Sequence, residues 1–198
     1  VITPSEQTRR HIIAIPSFQA MANSQLLEQG TFNTVIYNDL KNSSMFLPVR
    51  DQVFAEEVAA RDRREQRVAS QILNPESRVD WNSLGAEFVV VGMYTAGSDG
   101  NLESSVLLFN VADGGRIMGK HYTGYKREDY RSLSHRIADD IYKAIMQIDG
   151  IAGTKVVYIS KRGNYKEVFL IDADGENERQ LTNDRNLNVL PAWGANST

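Results

Sequence analysis

Two short stretches restrict the fold more than anything else in the chain. Ile12, Ile13, Ala14 and Ile15 are apolar in succession, and so are Phe88, Val89, Val90 and Val91. A strand with one wetted face alternates polar and apolar residues, whereas a strand covered on both faces does not. Both runs read as strands of a sheet covered from two sides, and Pro16 ends the first. Between them, SQLLEQGTFNTVIYNDLKNS carries helical spacing, with Phe32, Val35, Ile36 and Leu40 on one face and Asn42, Ser43 and Ser44 as its end. MFLPV then reads as a short strand, and Pro48 places it at a sheet edge. A strand–helix–strand passage of this kind joins parallel strands.

Residues 51–77 have another character. Helix formers and charges of both signs dominate, Glu57 and Arg61 stand four apart in the favourable order, and Phe54, Val58 and Ile72 leave a thin apolar stripe. The spacing predicts an exposed helix that stops at Asn74-Pro75. Asp80 can cap a single turn through Trp81 and Leu84, with Gly85 as a left-handed stop. Trp81 reads as a packing residue, with an interface contact as the alternative.

The run EFVVVGMYT is nearly continuous in apolar residues and should be central. Ser98-Asp99-Gly100 and Asp113-Gly114-Gly115 then mark two tight turns, so three strands form an antiparallel meander. A final helix is expected from about Asp129 to Ile148, with the stripe Tyr130, Leu133, Ile137, Ile141, Ile145 and Ile148. Asp129 is its expected cap and Gly150 its expected stop. Arg136 with Asp140, and Asp139 with Lys143, should decorate its solvent side. The assembled reading is an α/β domain with a mixed five-strand sheet and helices on both faces. The tail adds a pair of strands around Arg162-Gly163-Asn164, a third after Asp174-Gly175, and in VLPAW the start of another. A three-strand sheet alone is marginal and leaves open edges.

The candidate chemistry is thin. The chain has no cysteine, which removes disulfides, thiolate zinc sites and cysteine nucleophiles. His11, His121 and His135 show no ligand spacing and read as structural or surface residues. HExxH, GxSxG and GxxxxGK[ST] are all missing. Asp172, Asp174, Glu176 and Glu178 alternate, but Gly175 falls at the fourth position of a would-be calcium loop rather than the sixth, so a hairpin turn is the better reading. Arg61, Arg63, Arg64 and Arg67 are interleaved with Glu56, Glu57, Asp62 and Glu65, and the net charge of -3 is mild, which argues against a chain built on phosphate neutralisation. No apolar run approaches the roughly 20 residues of a membrane-spanning helix. Val1 stands where an initiator Met is absent, so a processed chain or an excised piece is expected.

Several stretches resemble a known family. HIIAIPSF, NDLKNSSMFLPV, WNSLGAEFVVVGMYT and the hairpin at SDGN together resemble the amino-terminal domain of the TolB family. GIAGTKVVYISKRGNYKEVFLIDADGENERQLT resembles the passage from that domain into the TolB β-propeller, and VLPAW the entry to the next blade. Residues 51–77 depart from the family pattern, being longer and more charged.

The resemblance implies an amino-terminal arm at 1–10, a three-layer α/β domain at 11–151 with 51–77 as a charged helical insertion, and at 152–198 the first blade of a truncated β-propeller. It further implies a non-catalytic periplasmic scaffold of the Tol–Pal system that needs no cofactor and supports outer-membrane integrity and cell division. The arm residues Val1, Ile2, Thr3 and Pro4 would engage TolA. Pal would bind mainly through the propeller, most of which lies beyond these residues. Two other readings stay open: the front end of a propeller-containing peptidase, and a free-standing adaptor whose tail strands add to a partner's sheet.

Overall fold

The computed structural model describes residues 9–21, 24, 31–49, 81–82 and 84–194. The chain divides into two compact units, 1–150 and 151–198.

The first unit is built on β1 (His11–Ala14), β2 (Gln19–Ala20), β3 (Phe46–Val49), β4 (Phe88–Ala96), β5 (Asn101–Asn110) and β6 (Arg116–Lys126). Across the sheet the order is β3-β1-β4-β5-β6, with β2 also on β4. β1 and β2 pair in parallel with successive parts of β4, at Phe88 and Val89 and then at Met93 and Tyr94. They occupy one position in the sheet, so five positions result, as the sequence predicts. β3 lies parallel to β1 at the edge, where Pro48 costs no ladder bond. β4, β5 and β6 form the expected antiparallel meander, with β4 interior.

Pro16 does interrupt the first strand, but the chain resumes its path as β2, which the sequence does not announce. The reason sits on the helix α1 (Thr31–Asn42). Asn33 Nδ2 donates to the carbonyls of Ile15 at 3.1 Å and Pro16 at 2.6 Å, while its Oδ1 accepts from the Phe18 N–H at 2.9 Å. One amide replaces the ladder bonds that the proline breaks.

The second described helix, α2 (Tyr130–Met146), follows a 3-10 turn at Arg127–Asp129. It ends earlier than Gly150, at Gln147, whose left-handed φ of 62° turns its N–H onto the Lys143 carbonyl at 2.9 Å. Gly150 serves a different purpose. A Cβ there would stand 2.9 Å from the Asp139 Cα, so only glycine lets the chain pass this close to α2.

Both described helices lie on the same face of the sheet. Ile13, Val90, Val106 and Leu108 share that face by register and are fully buried, together with Ile36 and Leu40 of α1 and Leu133, Ile137 and Ile141 of α2. Each such side chain contributes about 1.5–3 kcal/mol by leaving water. Phe32 of α1 meets Tyr94 at 5.5 Å, and Tyr142 of α2 meets Phe46 edge-on at 6.0 Å. On the opposite face Trp81 and Leu84 pack with Ile12, Val49, Phe109 and Val111 around Ala14, Ala86 and Val89. The two-sided burial read from the apolar runs is thus observed. The helix expected at 51–77 lies outside the described residues.

The second unit is a three-strand antiparallel meander, β7 (Lys155–Arg162), β8 (Tyr165–Asp172) and β9 (Arg179–Gln180). Gly163 and Gly175 turn it with φ of 67° and 87°. VLPAW does not start another strand: residues 188–194 carry no ladder, and Leu190 sits at φ 53°, which breaks an extended path just before Pro191. The only further pairing among the described residues is a single parallel bridge between Lys166 and Leu187.

Candidate interaction surfaces

Val1, Ile2, Thr3 and Pro4 lie outside the described residues, as do the arginines and carboxylates of 51–77. Arg9 and His11, further along the chain, are described. Arg9 Nη2 lies 3.4 Å from Glu87 Oε1, and His11 Nδ1 lies 3.0 Å from Glu87 Oε2. Burial pushes the Glu87 carboxyl up, but the His11 hydrogen bond and the charges of His11 and Arg9 outweigh it and hold the group below the usual carboxylate range. His11 stands between two rings, 6.1 Å from Phe46 and 5.6 Å from Phe88. Glu87 directly precedes β4, and nothing in its local sequence pattern marks it.

The other histidines also have structural neighbours. His135 Nδ1 lies 2.8 Å from Asp39 Oδ2 in the buried contact between α2 and α1. His121 Nδ1 lies 2.9 Å from Ser105 Oγ on the neighbouring strand. The acidic alternation is a turn, as read: Asp174 Oδ1 accepts from the Glu176 N–H and the Gly175 N–H reaches the Asp172 carbonyl.

One sequence expectation is corrected on α2. Asp140 does not sit on the solvent side with Arg136; it is 6% exposed. Its position is one turn along from Ile137, at the border of the apolar stripe, and β6 closes over it. Tyr122 Oη donates to its Oδ2 at 2.9 Å, Lys120 Nζ approaches its Oδ1 at 2.7 Å, and Arg136 Nε is 3.5 Å away. Lys143 meanwhile reaches Asp149 Oδ1 at 2.5 Å.

The second unit contains two buried carboxylates and much exposed apolar surface. Glu167 accepts from Thr182 Oγ1 at 2.6 Å, the Arg185 N–H at 3.1 Å and Asn188 Nδ2 at 3.3 Å, so it fixes the loop after β9. Asp172 holds Lys155 Nζ at 2.5 Å and Asn177 Nδ2 at 3.3 Å. Against this ordered frame Leu187 is 70%, Leu190 88% and Trp193 57% exposed, and Val156 on β7 48%. These are among the large apolar side chains that the described residues of the second unit leave open to solvent.

The architecture defines an α/β sheet domain and a β-meander unit with exposed apolar side chains. A family profile described as the TolB amino-terminal domain matches residues 2–117. The chain is 34% identical over 124 residues to the Tol-Pal system protein TolB of Bordetella pertussis, covering 61% of this chain and 28% of that protein. With the Tol-Pal system protein TolB of Paramagnetospirillum magneticum it shares 32% over 186 residues, covering 91% and 39%. Among solved structures, TolB from Acinetobacter baumannii superposes with a TM-score of 0.62 at 19% identity, over 89% of this chain and 39% of that one, which shows a shared fold. The chain belongs to the TolB amino-terminal domain family. It spans 28% to 39% of the length of these two curated relatives.

Proposed function

We propose that this chain is a non-catalytic protein–protein interaction component of the Tol–Pal system, acting in the periplasm in support of outer-membrane integrity and cell division. Family membership over residues 2–117 is the observation that carries this reading. The domain boundaries proposed are those expected from the sequence. Residues 1–10 form an arm whose Val1, Ile2, Thr3 and Pro4 engage TolA, 11–151 form the α/β domain, and 152–198 begin a β-propeller through which Pal is bound. The exposed Leu187, Leu190 and Trp193 support the last assignment, because a propeller blade buries such residues only against its neighbours. Binding by an arm suits a two-state mechanism in which a small free-energy difference decides between a docked and a partner-bound segment.

The test is a calorimetric titration of purified TolA with the full chain and with Ile2→Asp. Weakened binding by the variant is expected. Equal affinities would exclude the arm as the TolA contact.

A second reading, strand addition to a partner's sheet, is favoured by one observation. Among the described residues β7 pairs only with β8, leaving an eight-residue edge without proline or bulge. A homodimer that is lost on deleting residues 152–198 would support it.

A further inference from the structure

We infer that Glu87 is a positioning residue that anchors the root of the amino-terminal arm and thereby sets how readily the arm reaches its partner. The partner half of this inference rests on the arm reading proposed above.

The geometry is specific. Arg9 and His11 are two residues apart on a chain entering a strand, so their side chains leave on the same side. Both converge on one carboxylate, Arg9 at 3.4 Å and His11 at 3.0 Å. That carboxylate has a fixed base. The Glu87 N–H donates to the Ile12 carbonyl at 2.8 Å, and its own carbonyl accepts from the Val111 N–H at 2.9 Å. The inner contact is equally fixed, since His11 donates its backbone N–H to Met45 at 2.9 Å and has Phe46 and Phe88 beside its ring.

The outer contact differs. The Arg9 side chain is 82% exposed, so its ion pair is weak, screened by salt and easily exchanged for water. A rigid inner tie and a weak outer one give the arm a defined point of departure and a reversible hold on its last residues. A strong hold would oppose partner binding, and no hold would leave the arm without direction. A pair this exposed changes an equilibrium by about two- to fivefold.

The experiment is limited trypsin cleavage of the full chain and of Glu87→Gln, followed by mass spectrometry. Cleavage after Arg9 and Arg10 is measured relative to cleavage after Arg185, and the affinity for purified TolA is measured on the same samples. Glu87→Gln keeps the side-chain volume and removes the charge. Cleavage at the root should be about two- to fivefold faster in the variant. Added salt should bring the unsubstituted chain towards the variant while leaving the variant unchanged, a response that a purely structural role would not give. Equal root cleavage in both proteins overturns the anchor. Faster cleavage with unchanged TolA affinity overturns the link to binding. A chain that does not bind TolA at all overturns the arm reading instead.

Discussion

Tyr122 Oη donates a hydrogen bond of 2.9 Å to Asp140 Oδ2, and this contact fastens the edge strand β6 to α2. Burial pushes the Tyr122 phenol well above the usual tyrosine range, and the neighbouring Asp140 charge pushes it further. Replacing Tyr122 with Phe removes a hydrogen bond to a charged acceptor, so the predicted loss is about 1.5–3 kcal/mol in urea unfolding. The pH dependence has a definite sign. The folded state holds the phenolic proton more tightly than the unfolded state. The resulting stability is present in full below the unfolded tyrosine value, about 10, and is lost as pH rises above it. Tyr122→Phe should therefore lose less stability than the unsubstituted chain between neutral pH and about pH 11. An identical alkaline decline in both proteins would count against the assignment.

Gly92 on β4 leaves room for Phe18. A Cβ there would collide with the Phe18 ring, which stacks on Phe32 at 5.6 Å. Gly92→Ala should cost about 1–3 kcal/mol, because the ring must leave a packed site. Thermal unfolding reads the loss, and the near-ultraviolet dichroism of the aromatic cluster should change with it.

The Asn33 amide holds the break between β1 and β2. Asn33→Ala leaves the Phe18 N–H and the Ile15 and Pro16 carbonyls without this partner. The expected cost is about 1–3 kcal/mol. Hydrogen exchange should localise it, with the Phe18 amide losing protection before those of β4.

In the second unit Glu167 organises the loop that follows β9. Glu167→Ala should speed exchange of the Arg185 amide, which donates to this carboxylate. The β7–β8 ladder should stay protected, since its bonds are backbone to backbone. Equal loss across the whole unit would mean that Glu167 supports the sheet rather than the loop.

The sheet is legible in the sequence because its signals are local and periodic. The unbroken apolar runs at 12–15 and 88–91 mark covered strands, and Pro48 marks an edge. The Asp-Gly turns mark hairpins, and the stripe from Leu133 to Ile141 marks α2. The polar contacts are not legible. Asn33, Glu87, Asp140 and Glu167 each act on residues distant in the chain, and nothing in their neighbourhoods distinguishes them from solvated side chains. Asp140 misleads for that reason: four residues from Arg136 it reads as half of a surface pair, and only the position of β6 buries it. β2 escapes notice because a proline normally ends a strand, and the compensating amide comes from a helix.

Engagement of TolA through the first residues of the chain can be tested by competition. A synthetic peptide of residues 1–8 is titrated into a preformed complex of the full chain with TolA. The peptide should displace the chain completely. A complex that forms and then persists at saturating peptide would contradict the arm assignment, because the contact with TolA would then lie elsewhere on the chain.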